Sequence, residues 1–460
     1  MQINRLDNVD INLDDGHKYA LRDIKSGENI IKYGNPIGHA TEDIKAGEHV
    51  HTHNVKTNLS GNLEYVYEPV KYDLPIETEE RTFMGYVREN GDVGIRNEIW
   101  IVNTVGCVNK VAERIAAATG AFHFPHPFGC SQLGDDQEIT QKILRGMVNH
   151  PNAAGVLVLG LGCENNNIDE FKKVLGDYNP NRVKFLNTQD HDDDIAAGVE
   201  IINELKEYAS KFERTPVPVS KLRIGLKCGG SDGYSGITAN PLVGRLSDKV
   251  IAHGGSCVLT EVPEMFGAEQ VLMHRAKDEQ TFEKIVKLIN NFKKYYSDHN
   301  QVCYENPSPG NKQGGITTLE DKSLGCTQKA GLSKVVDVIT LGEEIKHKGL
   351  NLIKGPGNDM IACTTLASAG AHIVLFTTGR GTPFGTFVPT MKISTNTKLS
   401  ETKSNWIDFN AGQIVDGKSM EEVFESFKET IIKIINGEIK TKNETNNFQE
   451  IAIFKDGVTL

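Results

Sequence analysis

Apolar runs of strand length recur along most of this chain, with helix-period patterns between them. IWIVNT (99–104), VLVLGLG (156–162) and RVKFLN (182–187) form a first set. LRIGLK (222–227), CVLTEV (257–262) and HIVLFT (372–377) form a second. Helical patterns run from Glu138 to Val148, with Ile139, Ile143, Leu144 and Met147 on one face, from Asp194 to Phe212, and from Asp278 to His299. Strands that alternate with helices require crossover connections, so the expected fold class is α/β with mainly parallel sheets. In such sheets ligands bind beyond the carboxyl ends of the strands. Near its end, the chain places a capping box at Ser419-Met420-Glu421-Glu422 and a helix that stops at Gly437.

Composition narrows the class. The 460 residues suit two to four domains. The formal net charge of −11 repels phosphate backbones, which argues against nucleic acid as a partner. No apolar run approaches the ~18 residues of a membrane span. The first residues lack the apolar core of a signal peptide, so a cytoplasmic location is expected. Eight cysteines are too few for a disulfide framework and are read as thiols, some of them candidate ligands. The 45 glycines cluster with polar residues.

The first 65 or so residues read instead as short strands and tight turns, a small all-β module. It carries an internal echo: Asp23-Ile24-Lys25-Ser26-Gly27-Glu28 returns as Asp43-Ile44-Lys45-Ala46-Gly47-Glu48. Residues 61–82 have weak periodicity and read as a linker or surface strap. The two prolines of TPVPVSK (215–221) are expected to stop regular structure and mark a boundary.

The residues just past each apolar run carry the chemistry. Cys107, Cys163 and Cys228 follow strands, and Cys130 sits in the loop His126-Pro127-Phe128-Gly129-Cys130. Thiolates suit iron or iron–sulfur centres, although the spacing fits no CxxC motif and any one of them could be a small buried hydrophobe. Cys257 and Cys363 read as core, and Cys303 is given no role. Five of the 14 histidines fall in the first 53 residues. On a strand His49, His51 and His53 would share a face, spaced for a metal or for proton transfer, with a solvated edge strand as the alternative. Glu261 and Glu264 flank a proline and could serve as base and acid, or hold a hard divalent ion. Lys312 and Arg380, in Gly-rich loops, are natural carboxylate binders. A Walker A sequence, a dinucleotide fingerprint and a G-x-S-x-G elbow are all absent, so nucleotide hydrolysis, hydride transfer and serine hydrolysis lose ground.

Long segments from near residue 7 to the last residue resemble the altronate/galactarate dehydratase family. They include GHKYALRDI, AGEHVHTHNVKTNLS, NGDVGIRNE, GCSQLGDD, GLGCENN, CGGSDGYSGITANP, TEVPEMFGAE, NPSPGNKQGGITTLEDKSLGCTQKAG, FTTGRGTPFG and AIFKDGVTL. The resemblance implies a SAF-type β-clip domain over residues 1–66, a linker over 67–82, a middle α/β domain over 83–216 and a C-terminal Rossmann-like α/β domain over 217–460. It implies dehydration of a sugar acid. With D-altronate the product is 2-dehydro-3-deoxy-D-gluconate, a step in hexuronate catabolism. It also implies iron (Fe2+, with Mn2+ as a substitute), mononuclear iron and an iron–sulfur cluster both staying open, and is compatible with a homodimer.

On that resemblance His17, His51, His53, Glu261 and Glu264 are the catalytic candidates. Asn54, Ser231, Asp232, Asn311, Lys312 and Arg380 are candidates to bind the substrate, and Cys107, Cys130 and Cys163 to hold the metal. The alternatives are galactarate dehydration or sulfolactate cleavage, within the same family, and a sugar-acid binding protein without turnover.

Overall fold

The hexapeptide echo folds as a reciprocal pair. In the computed structural model, which describes residues 1–59, 64–70, 74–302 and 304–460, Ile24 and Ile44 exchange main-chain hydrogen bonds at 2.8 Å in both directions. Lys25 binds Asp43 at 2.8 Å and Lys45 binds Asp23 at 2.9 Å. Each copy is thus latched by the other, with Gly27 and Gly47 at φ +83° where the chain turns. Around this pair stand two antiparallel three-stranded sheets. One holds Val9–Ile11, Lys18–Ala20 and His49–Val50, and the other Asn29–Lys32, Asn35–Ala40 and Val55–Lys56. Val9, Ile24, Ile30, Ile37, Ile44, Val50 and Val55 fill the space between them. The expected strand through His51 and His53 is not formed. Pairing stops at Val50, because the Asn54 side chain accepts from His51 N–H at 2.9 Å and donates to the His49 carbonyl at 2.9 Å, closing a turn instead.

The strap runs along the C-terminal domain before it enters the middle one. Tyr65 donates to Glu269 at 2.6 Å, Tyr67 donates to the Ala276 carbonyl, and Val70 and Glu77 donate main-chain bonds to His274 and Ala252. Parts of this segment, residues 60–63 and 71–73, lie outside the described residues, as does Cys303.

The middle sheet is parallel, in the order Phe122–His123, Glu98–Asn103, Ala153–Gly160, Val183–Asn187. Helices Asn109–Thr119 and Asp194–Ala209 cover one face, and Gly134–Asn149 packs the other. One expectation fails at its edge. The proline-rich stretch is a strand, Arg214–Pro218, paired antiparallel with Thr82–Val87. It lies at the border of its three-stranded sheet, where a proline without an N–H costs no ladder bond.

The C-terminal sheet has seven parallel strands, ordered Val335–Ile339, Gly349–Ile353, Ser256–Leu259, Arg223–Cys228, Ile373–Thr378, Thr390–Ser394, Phe409–Asn410. The chain starts at the centre with Arg223–Cys228, lays all three strands of one side, placing the edge strand Val335–Ile339 before Gly349–Ile353 fills the gap, then returns to build the other. That reversal opens a crevice at the carboxyl end of Arg223–Cys228, where ligands bind in such folds. The expected strand 257–262 ends at Leu259. Glu261 takes a left-handed conformation (φ +70°, ψ +55°) that turns the chain into a short 3-10 helix. The capping box at Ser419 and the stop at Gly437 form as expected.

Candidate functional site

Charged side chains converge at that crevice from four segments, and nearly all are buried. Lys227 binds Glu261 at 2.7 Å and Asp359 at 3.1 Å. Lys322, on the Leu319–Cys326 helix, binds Glu264 at 2.8 Å. Lys329 comes within 3.5 Å of Glu261 but has no hydrogen-bond partner. Cys326 donates to Glu264 at 3.0 Å, and its sulfur lies 3.7 Å from that of Cys228. Burial pushes the Glu261 carboxyl up, against the pull of Lys227 and Lys329. Burial acts on Glu264 too, but the Lys322 and Lys227 ammonium groups outweigh it and hold that carboxyl well below the usual range.

The N-terminal module is clamped over this crevice. Lys18 and Lys32 share one buried carboxylate, Asp321, each at 2.8 Å. Lys18 also donates to the Gly315 carbonyl. Gly233 and Gly315 lie so close to Gly16 that a Cβ on either would overlap the Gly16 carbonyl oxygen. This docking gathers the module's histidines at its rim. His17 Nδ1 is 3.0 Å from His49 Nε2, and the ring centroids of His17, His49 and His51 are 5.0–5.4 Å apart. His53 lies 5.5 Å from His49 and is exposed. His51 Nε2 meets the Lys312 carbonyl at 2.8 Å. A carbonyl only accepts, so Nε2 carries the proton and Nδ1 is left to accept from Thr52 at 3.0 Å. Burial brings His51 down to about 4, against the upward effect of the Lys312 carbonyl.

The other candidates divide into exposed and enclosed groups. Lys312 is half-buried, and Arg380 is exposed with its guanidinium on Gln313 at 2.8 Å. Asn54 is spent on its turn. Ser231 lies against Cys228, and its carbonyl accepts from Asn311 at 2.8 Å. Asp232 is buried and accepts from Thr395, Asn396 and Ser235. Asn54 thus shapes the module's own turn, and Ser231, Asp232 and Asn311 shape the loops that face it.

Cys107, Cys130 and Cys163 are all exposed, on adjoining loops at the carboxyl ends of the middle sheet. Gly106 N–H donates to Phe128 O and Asn166 N–H to Gly129 O, which ties the three loops together. Cys130 donates to Asn165 at 3.4 Å, and Gln189 donates to Cys163 at 3.5 Å. Among the described residues, the donor group tight enough for a single ion is a different one, Cys228, Glu264 and Cys326, within 4.8 Å of one another. There Lys322 already occupies one oxygen of Glu264 and the buried Lys329 adds its charge nearby, so an added divalent cation meets like charge. Cys107, Cys130 and Cys163 offer soft donors open to solvent, a ligand type that suits iron.

Lys227, Asp321, Lys322, Cys326 and Lys329 were not singled out from the sequence. Asp321, Lys322, Cys326 and Lys329 do sit within one quoted motif, but a charged residue on a helix reads as solvated surface until the helix is found buried on every side.

Fold and site together define an α/β protein whose β-clip module closes a charged crevice. Comparison with known families gives its place. The Altronate/galactarate dehydratase SAF domain matches residues 2–58, the D-galactarate dehydratase/Altronate hydrolase second domain matches 85–210, and the D-galactarate/Altronate dehydratase C-terminal domain matches 219–459. The chain belongs to the D-galactarate/altronate dehydratase family. It is 57% identical to altronate dehydratase of Escherichia coli (strain K12) and 58% identical to that of Bacillus subtilis (strain 168). Each match covers 97% of this chain and 92% of the relative. Identity to the L-threo-forming galactarate dehydratase of Escherichia coli (strain K12) is 29%, over 95% of this chain and 89% of the relative. No helix among the described residues is long and apolar enough to cross a membrane.

Proposed function

We propose that this chain is a hydro-lyase that removes water from D-altronate to give 2-dehydro-3-deoxy-D-gluconate, as a cytosolic step of hexuronate catabolism. The observation that carries this reading is the near full-length identity to two altronate dehydratases, about twice that to the galactarate enzyme.

The C2 proton of an aldonate is weakly acidic, so the enolate-like state needs positive charge close by. Arg380 and Lys312 hold the substrate carboxylate at the mouth of the crevice. His51, kept neutral by burial with its proton on Nε2, presents Nδ1 as the acceptor, and His17 and His53 move protons at the same rim. Glu261 and Glu264 are enclosed and ion-paired, so their part is to balance Lys227, Lys322 and Lys329 rather than to touch substrate. Iron, with Cys107, Cys130 and Cys163 to hold it, would supply Lewis acidity for departure of the C3 hydroxyl.

The test is anaerobic. The purified protein is reconstituted with ferrous iron and given D-altronate, with galactarate in parallel, and 2-keto-3-deoxy acid is followed. Product from altronate alone supports the reading. Product from galactarate alone, or binding of altronate without loss of water, overturns it.

A further inference from the structure

Cys228 and Cys326 come from segments 98 residues apart, yet their sulfurs lie 3.7 Å from each other in the buried floor of the crevice. Neither has a role in the dehydration described above. The surrounding charges are already allotted. Lys227 has Glu261 and Asp359 at hydrogen-bond distance, and Lys322 has Glu264. Lys329 is fully buried, lies 3.5 Å from Glu261 without a hydrogen bond, and also feels the charge of Cys228. The Cys228 sulfur, with Ser231 Oγ hydrogen-bonded to it, shares the Lys329 charge with Glu261. Cys326 keeps its proton and points it at Glu264. In keeping with this arrangement, the contact with Cys326 and the Lys329 charge pull Cys228 well below the usual thiol range despite burial, while Cys326 is pushed well above it.

We propose that Cys228 and Cys326 form a redox-modifiable dithiol, which hydrogen peroxide converts to a disulfide. The Cys228 thiolate attacks one oxygen of the peroxide. The O–O bond breaks, Cys228 becomes a sulfenic acid, and the hydroxide that leaves takes the proton of the Lys329 ammonium to become water. The Cys326 sulfur then attacks Cys228, and its proton leaves with the sulfenic oxygen as a second water. Two electrons pass from the sulfurs to the peroxide. Lys329 ends as a neutral amine, so the loss of the thiolate leaves no unbalanced charge in the floor. The sulfurs close from 3.7 Å to the ~2.05 Å of a disulfide. Cys326 lines a cavity of about 10 Å³ with Lys322, Ser231, Asp232 and Tyr33. Both sulfurs are buried, which favours a small oxidant over a bulky disulfide.

The full chain is exposed to hydrogen peroxide or, separately, to glutathione disulfide. Free thiols are then alkylated under denaturing conditions and the peptides mapped. The expected result is a peptide linking residues 228 and 326, two hydrogens lighter than its parts, formed with peroxide, not with glutathione disulfide, and reversed by dithiothreitol. C326S should stop at a sulfenic acid on Cys228 that a dimedone probe captures. K329Q should slow the linkage about tenfold or more by raising the thiol pKa and removing the proton that the leaving hydroxide takes, and K329R, which keeps the charge but holds its proton, should restore the rate only in part. The proposal is overturned if both cysteines stay alkylatable after peroxide has oxidised Cys107, Cys130 and Cys163, or if the native protein carries a metal ion bound by Cys228 and Cys326. None of these readouts uses altronate, so failure of the catalytic reading leaves them unaffected.

Discussion

His51 donates its Nε2 proton to the main-chain oxygen of Lys312 at 2.8 Å, joining residues 261 positions apart. One bond holds the β-clip rim to the loop that carries a proposed carboxylate anchor, and it fixes the histidine tautomer. Replacing His51 with Phe keeps a ring but removes both functions. The rate constant is expected to fall on the order of 10²-fold or more, read by steady-state kinetics on D-altronate.

The pH dependence follows from the same contact. With its folded value at about 4, His51 stays a neutral acceptor well below the ~6.5 of a free histidine. Its limb in kcat/KM against pH should therefore fall near 4. Protonation on the acid side also opposes docking: a folded value below the unfolded one means stability is complete above ~6.5 and declines as pH drops from there toward 4. A His51-dependent limb at 6.5 would count against this account.

Asp321 carries two ammonium groups in a fully buried site. Asp321→Asn leaves Lys18 and Lys32 without their counter-charge, which costs about 3–5 kcal/mol. The chain has several domains, so the loss should appear in an early transition, read by limited proteolysis of the N-terminal module in rising urea. Although burial opposes it, Lys18 and Lys32 hold the Asp321 carboxyl below the ordinary range. Its stabilising effect is present above ~3.9 and is lost as pH falls through the lower folded value, and the Asn variant should lack that acid-side slope.

Gly315→Ala places a methyl group at φ +98° against the Gly16 carbonyl. The module must lift away, and activity should drop while the middle domain keeps its fold. Cleavage within residues 60–80 should accelerate. Unchanged cleavage together with full activity would show that the contact has slack.

The proposed metal ligands have a direct test. A variant with Cys107→Ser, Cys130→Ser and Cys163→Ser is expected to lose its iron and its turnover together, by elemental analysis and assay on the same sample. Full iron in this variant removes the cysteine assignment.

Much of the architecture was legible because its signals are local. Runs such as HIVLFT became buried parallel strands, since a segment apolar on both faces has nowhere else to go. The hexapeptide echo announced two equivalent turns, and only folding revealed that they latch one another through Lys25–Asp43 and Lys45–Asp23. Local reading failed where a distant partner or a single side chain decided. Pro216 joined a strand because Met84 offered an edge. His51 left its strand because Asn54 closed a turn.

The chain's pattern of apolar runs, glycines and reactive residues at strand ends determined the fold class, the crevice at which chemistry should be sought and, through long shared segments, the family. Tertiary structure decided which of those residues are neighbours. It buried Lys227, Lys322 and Lys329 among the glutamates, brought Cys228 to Cys326, and set Lys18 and Lys32 on Asp321. Periodicity records which face of an element is apolar. It does not record which two elements meet, and the charge, proton position and reactivity of a buried side chain depend on that meeting.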